Sequence, residues 1–234
     1  MMNNLEQRYR DVCGRIKDAS QRLQVTPPTL LAVSKKHPSE SLRALYQLGQ
    51  RDFGESYWQE AEQKMLALKD LDGIVWHFIG PIQSNKTRPI AEHFHWVHSV
   101  DREKIARRLS EQRPQGLPPL NLCLQVNIDE EKSKSGVAPE DVLALAQAIH
   151  QLPNVRLAGL MCIPEHSDDP QQQRVPFQRL ARLQQDLAQA GIVTKTLSMG
   201  MSDDLEAAIA EGSTILRIGT ALFGERQKTV TNPS

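Results

Sequence analysis

Short apolar segments alternate with amphipathic segments along nearly the whole chain, and this alternation constrains the fold more than any other feature. An opening segment with helical spacing ends before Pro27 and Pro28, and about eight apolar runs follow it. Runs such as TLLAVSK and NLCLQVNI lead into helical patterns such as SESLRALYQLG and PEDVLALAQAIH. Because strands that alternate with helices form a parallel sheet with helical crossovers, the sequence predicts an α/β fold.

A closed barrel is favoured over an open doubly wound sheet. The number of strands suits a barrel, and no GxGxxG follows the first strand, where a dinucleotide-binding sheet carries it. We predict one (β/α)8 TIM-type barrel domain over residues 1–234, with an extra N-terminal helix over about residues 3–24 and the barrel over about residues 29–224. The extra helix would replace the one missing after the last strand, TILRIGTALFG, and RPQGLPPL and PEHSDDPQQQ are predicted loops.

Charge and cysteine content narrow the class of partner. The 28 basic and 28 acidic side chains cancel, so nucleic acid and membrane surfaces are not favoured and a small molecule is expected. Three cysteines without CxxC spacing argue against disulfides and zinc and favour reduced thiols. Since neither a signal peptide nor a membrane-spanning run is recognisable, we expect a cytoplasmic protein. The cysteine spacing also leads us to expect no metal site.

Lys35 is the most informative single residue. Active sites of such barrels lie at the carboxyl ends of the strands, and Lys35 terminates the apolar run LLAVSK. A partly desolvated lysine is a competent nucleophile toward an aldehyde. Lys36 is its rival, because successive side chains of a strand point in opposite directions, and both lysines could also lie solvated at the strand end.

The segments after the last two strands have the composition of an anion site. Small residues in SMGMS and RIGT let backbone amides approach a phosphate, with Ser202, Gly219 and Thr220 as the candidate donors. Asp203 and Asp204 would repel a phosphate, so we expect both to point away from it.

Helix capping gives these two aspartates a role without a ligand. We predict Asp203 as the N-cap, with Glu206 returning to it. Arg217, two residues before Gly219, is predicted to point into the barrel, where a pyridine nitrogen could accept its hydrogen bond; an outward, carboxylate-paired arginine is the alternative.

Other noticeable residues have simpler explanations. The histidines of the third and fourth strands lack the spacing of a zinc site, and the tryptophans are expected to pack helices onto the barrel. The loop KSKSG could cover the barrel mouth, although a solvated loop is more common. The residues concerned are His77, His93, His95, His98, Trp58, Trp76, Trp96 and Lys132 to Gly136.

The motifs together resemble one known family. LLAVSK, FGE-Y-QEA, WHFIGPIQSNK, KSG, GLMCI, SMGMSDDLEAAI and RIGTALFG occur in order from the first strand to the last. In this they are similar to the pyridoxal phosphate homeostasis protein family, one-domain relatives of the alanine racemase barrel. The resemblance implies a monomer with pyridoxal 5'-phosphate bound as a Schiff base to Lys35, and so decides between Lys35 and Lys36. At Ser56 the family usually has asparagine, and this position is carried over only weakly.

The resemblance also implies the surroundings of the cofactor. Ser202, Gly219 and Thr220 correspond to the phosphate cradle, and Arg217 to the arginine that faces the pyridine nitrogen. The full predicted cofactor-binding set is Lys35, Asn127, Met161, Ser198, Met199, Gly200, Ser202, Arg217, Gly219 and Thr220.

A binding and homeostasis role is the leading functional hypothesis. An arginine at the pyridine nitrogen disfavours a protonated ring and weakens the cofactor as an electron sink. The protein would buffer pyridoxal phosphate or deliver it to apo-enzymes, with no catalytic residue and without robust turnover. One alternative is an amino-acid racemase of narrow scope, although Tyr9, Tyr46 and Tyr57 all fall in or beside predicted helices and offer no clear second acid/base. Another is an aldolase-like phosphate-binding barrel that uses Lys35 on its substrate.

Overall fold

Eight parallel strands close into a barrel in the computed structural model, which describes residues 2–131 and 134–224. Each strand pairs with the next in chain order, and the last pairs with the first. The strands are β1 Thr29–Val33, β2 Asp52–Glu55, β3 Val75–Phe78, β4 Trp96–Val100, β5 Leu120–Val126, β6 Val155–Cys162, β7 Thr196–Ser198 and β8 Ile215–Ile218. The predicted (β/α)8 barrel is confirmed.

Helices follow the strands around the outside of the barrel. They are α1 Met2–Leu23, α2 Ser39–Gln47, α3 Trp58–Ala67, α4 Thr87–His93, α5 Glu103–Gln112, α6 Val142–His150, α7 Pro170–Gln189, α8 Leu205–Ala210 and α9 Thr220–Phe223. The opening helix α1 packs against α2, α8 and α9. It therefore covers the barrel where β8 meets β1, which is the place predicted for the extra N-terminal helix.

The helices are held by one apolar face each. In α5, Ile105, Ala106 and Leu109 are fully buried while Arg107 is exposed, so the buried face repeats at helical spacing. On the strands, residues such as Phe53 are also fully buried beneath the helices. No helix in the described ranges is both long and apolar enough to cross a membrane.

Two predicted boundaries are wrong. The segment PEHSDDPQQQ is not entirely loop, because α7 begins at Pro170, with the Asp169 carboxylate accepting the Gln171 N–H at 2.9 Å as its N-cap. The run TILRIGTALFG is not all strand either. It leaves β8 after Ile218 and forms the short helix α9, so a helix does follow the last strand.

Candidate functional site

A cavity of about 270 Å³, open to solvent, lies at the carboxyl end of the barrel. Five of the predicted site residues line it, and they come from the turn after β1, the loop after β7, and the end of β8 with the residues that follow it: Lys35, Ser202, Arg217, Gly219 and Thr220. Val33, Ile79 and Ile163 add apolar wall. The cavity therefore combines a lysine, an arginine and small hydrogen-bonding residues with apolar surface, which is the composition of a small-molecule site.

The turn after β1 separates the two candidate lysines. The strand ends at Val33, and Lys35 and Lys36 lie in the following turn rather than in the strand. Lys35 is half-buried and lines the cavity, whereas Lys36 is exposed. Lys36 has φ +65°, and its backbone N–H donates to the Glu60 carboxylate. The left-handed turn, not strand alternation, thus gives the two side chains different surroundings.

A buried ionic cluster supports this turn from below. The Lys64 ammonium donates to the Ser34 carbonyl at 2.7 Å, to Glu55 Oε1 at 2.7 Å and to Glu60 Oε1 at 2.6 Å. The Ser34 hydroxyl also donates to Glu55 Oε1, at 2.5 Å. Burial raises the pKa of Glu55, and the Lys64 charge partly offsets that rise. Lys64 therefore ties α3 to the residue that precedes Lys35.

Arg217 points into the barrel, as predicted, and lines the cavity from below. Its Nη1 donates to the Ser198 carbonyl at 2.5 Å and to Ser198 Oγ at 2.9 Å, and its Nη2 donates to the Cys162 carbonyl at 2.8 Å. Burial lowers the pKa of this guanidinium, which nevertheless remains a cation at any physiological pH. The arginine is thus held by backbone carbonyls and a hydroxyl, without a carboxylate among these partners.

Gly200 allows the loop after β7 to turn beneath the cavity. Its φ is +96°, and a Cβ there would lie 2.5 Å from Ala208 Cβ and 2.6 Å from a Leu216 methyl. Its carbonyl accepts the backbone N–H of Arg217 at 2.9 Å. Beyond this turn, Ser202 Oγ accepts the Ala221 N–H at 3.2 Å, which joins the loop to α9.

The expectations for the two aspartates are wrong in part. Asp203 lines the cavity instead of pointing away from it. The N-cap of α8 is Asp204, whose side chain makes no capping bond and instead accepts the Met201 N–H at 2.6 Å. Glu206 pairs with Arg15 at 2.8 Å rather than returning to the cap. The packing of α1 against α8 provides Glu206 with this stronger partner.

Several predicted site residues lie outside the cavity lining. Met161, Ser198 and Met199 are fully buried, and Gly200 has the backbone role described above. Asn127 lies half-buried after β5, and its Nδ2 donates to the Glu131 carbonyl at 2.8 Å. None of these side chains borders the cavity in the described part of the chain.

The KSKSG loop is only partly described, since Lys132 and Ser133 lie outside the described residues. Lys134 Nζ contacts Asp129 at 2.9 Å and Glu131 at 2.8 Å. This lysine is therefore bound within its own loop and does not reach the cavity.

Ser56 and Gly80 meet at the end of β2. Ser56 is buried and does not border the cavity. A Cβ on residue 80 would lie 2.1 Å from the Ser56 carbonyl oxygen, so this approach requires glycine.

The sequence interpretation missed two features. His37 borders the cavity and stacks on Phe223, with ring centroids 4.4 Å apart. His77 and His98, set aside because they do not fit a zinc site, are buried in a hydrogen-bonded chain that reaches Arg217. His77 pairs in register with Trp96, and His98 lies two residues beyond Trp96 on the same face of the sheet, so the two histidines are diagonal neighbours. The signal available in the sequence was a histidine inside each of two consecutive strands.

The fold and the cavity define the class of protein. Residues 14–227 match the family model described as alanine racemase, N-terminal domain, so the chain is a barrel of that type.

Curated relatives and a solved structure narrow this class. The chain is 60% identical over 227 residues to the pyridoxal phosphate homeostasis protein of Pseudomonas aeruginosa, covering 96% of this chain and 97% of the relative. It is 50% identical over 230 residues to the protein of the same name from Vibrio cholerae, covering 96% and 98%. The structure of PipY from Synechococcus elongatus with pyridoxal phosphate bound superposes with a TM-score of 0.79 at 40% identity, covering 88% and 97%. The chain belongs to the pyridoxal phosphate homeostasis protein family, as its motifs predict.

Proposed function

We propose that the protein binds pyridoxal 5'-phosphate at this cavity, as a Schiff base on Lys35. The observation that carries the proposal is the lysine itself, which shares one cavity with Arg217 and with the small residues of the two loops after β7 and β8. The names of the relatives and the cofactor bound in PipY support the same ligand. When bound, the cofactor supplies an aldehyde that reacts with amines.

The residues present fit this cofactor at both of its ends. Ser202, Gly219 and Thr220 would hold the phosphate, because their small side chains and hydroxyls leave backbone and side-chain donors accessible. Arg217 would face the pyridine nitrogen as a donor. Asp203 also borders the cavity and opposes anion binding, and the Arg217 cation offsets it.

Arg217 also favours binding over turnover. It is a permanent donor and cannot accept a proton, so it would favour an unprotonated pyridine nitrogen and thereby a ring that is a poor electron sink. None of Tyr9, Tyr46 and Tyr57 borders the cavity. Among the residues that the structure describes, His37 and Asp203 are the side chains beside Lys35 that border it and could exchange a proton near neutral pH, and they keep the racemase alternative testable.

A homeostasis role follows from these properties. In this proposal the protein acts as a cytoplasmic monomer that captures the aldehyde, shields it from other amines, and releases it to apo-enzymes. The open cavity mouth is compatible with exchange.

Borohydride reduction followed by peptide mapping tests the attachment. After loading with pyridoxal phosphate, fragmentation of the labelled peptide should place the label on Lys35. A label on Lys36 alone would contradict the proposal. Activation of an apo-enzyme by the loaded protein tests delivery of the cofactor. Failure to activate under conditions where the free cofactor succeeds would contradict delivery.

Chiral analysis after long incubation with single L-amino acids tests the racemase alternative, because measurable D-isomer would favour a racemase.

A further inference from the structure

Arg217 is one end of a hydrogen-bonded chain that crosses the barrel interior. Arg217 donates to Ser198 Oγ at 2.9 Å, and Ser198 Oγ lies 2.7 Å from His98 Nδ1. His98 Nε2 lies 2.9 Å from His77 Nδ1, and His77 Nε2 lies 3.0 Å from Asp52 Oδ1. These five residues are called the relay. Because Asp52 is the first residue of β2, the relay runs from the cavity to the amino-terminal end of the barrel.

The chemistry of the two ends sets the direction of every bond. Arg217 can only donate, so Ser198 Oγ accepts from it. Among the described residues, the acceptor within reach of the Ser198 hydroxyl proton is His98 Nδ1. At the other end the Asp52 carboxylate only accepts, so His77 Nε2 carries a proton.

Both ends require the same tautomers. His98 must carry its proton on Nε2 and donate it to His77 Nδ1, and His77 must donate from Nε2 to Asp52. Burial lowers the pKa of both imidazoles, which keeps them neutral and leaves one proton on each ring. All four bonds then point from the cation toward the anion, an arrangement in which each bond polarises the next.

The relay supplies Arg217 with a carboxylate that it does not contact. Its direct partners are the carbonyls and hydroxyl named above. Among the described residues, Asp204 is the carboxylate whose charge acts on Arg217 directly through space, and the thiols of Cys123 and Cys162 lie nearby. Trp96 stacks on His77 with ring centroids 5.7 Å apart and holds that ring in place.

We propose that Asp52 is a positioning residue for Arg217 and acts through the relay on the guanidinium that faces the cofactor ring. This inference rests on the proposed function, since it concerns the contact between Arg217 and the pyridine nitrogen. A carboxylate at the far end of the barrel thereby helps to set how strongly the pocket polarises its cofactor.

The first test measures the tautomers of the two imidazoles in the unloaded wild-type protein. Variants are needed only to assign the signals. Long-range ¹H–¹⁵N spectra of the ¹⁵N-labelled chain, assigned with single His→Gln variants, should show protonated Nε2 and unprotonated Nδ1 in His77 and His98. A proton on Nδ1 of either ring, or an imidazolium at neutral pH, overturns the relay.

The pyridine nitrogen of the bound cofactor is the second test. The ¹⁵N signal of pyridoxal phosphate labelled at this nitrogen should move in Asp52→Asn and stay at its wild-type position in Asp72→Asn. Asp72 is the matched control, because it is an exposed carboxylate just before β3, at the same end of the barrel. Equal signals in Asp52→Asn and wild type overturn this inference alone. A wild type that binds no cofactor overturns the proposed function and this inference with it.

Discussion

Replacing Lys64 with methionine removes the centre of the buried cluster beneath Lys35. Lys64 is 5% exposed, and its ammonium donates three hydrogen bonds of 2.6 to 2.7 Å, to the Ser34 carbonyl and to Glu55 and Glu60. Methionine nearly fills the space but leaves Glu55, which is fully buried, without its counter-charge. Because removal of one partner leaves a buried charge unpaired, we expect the free energy of unfolding to fall by about 3–5 kcal/mol.

The loss should depend on pH in a defined direction. Burial already raises the pKa of Glu55 above its usual 4.5, and loss of Lys64 raises it further. The folded variant then binds a proton that the unfolded chain does not. Its stability is therefore greatest below the carboxyl's usual pKa and is lost as the pH rises through the higher folded-state pKa. Urea unfolding of Lys64→Met should show a smaller deficit at pH 5.5 than at pH 7.5.

Two further variants separate charge burial from simple loss of packing. Glu55→Gln in the Lys64→Met background should recover about 1–3 kcal/mol, because the unpaired charge is gone. Arg10→Met, which removes an exposed ion pair to Glu6, should cost about 0.5 kcal/mol or less. A cost of about 1 kcal/mol or less for Lys64→Met, or no recovery in the double variant, would refute this reasoning.

Two other substitutions probe the loop and the relay. In chemical denaturation, Gly200→Ala should lower the free energy of unfolding by about 1–3 kcal/mol more than Gly191→Ala does. Both glycines have positive φ, but an added Cβ meets Ala208 and Leu216 only at residue 200. Equal costs in the two variants would contradict the clash. Burial lowers the pKa of His98, so the unfolded chain binds a proton there that the folded one does not, and stability is lost as the pH falls below about 6.5. His98→Gln should reduce this pH slope by at most about 1.4 kcal/mol per pH unit. A slope equal to that of the wild type would count against a buried neutral His98.

The barrel could be predicted because its signals are local. Alternation of apolar runs with helical patterns fixes strand order in a parallel barrel, where each strand pairs with its neighbour in sequence. The limits of α7 and α9 were missed for a local reason too. A proline at the start of a helix and a short apolar run after a strand both fit more than one structure.

The site could be predicted only where a strand end identified it. Lys35 lies in the turn after β1 and the RIGT segment spans the end of β8, so their place at the barrel mouth follows from topology. The orientation of Asp203 depends on the turn at Gly200, and the environment of Glu206 depends on Arg15 of α1. Such contacts join residues far apart in the sequence, and a single sequence contains no signal for them.

The relay shows the same limit more clearly. His98 and Ser198 are 100 residues apart, and their contact depends on side-chain depth inside the closed barrel. Lys64 likewise looks like a surface lysine of an amphipathic helix, yet it is buried against Ser34 and Glu55. In both cases tertiary contacts, not residue type or spacing, create the chemistry.

Absorption spectra of three purified proteins with added pyridoxal phosphate decide whether Lys35 is the anchor. Wild type and Lys36→Ala should both develop the visible band of a protein-bound Schiff base, and Lys35→Ala should not. Retention of the band in Lys35→Ala, or its absence from wild type, would contradict the assignment of this cavity to pyridoxal phosphate on Lys35.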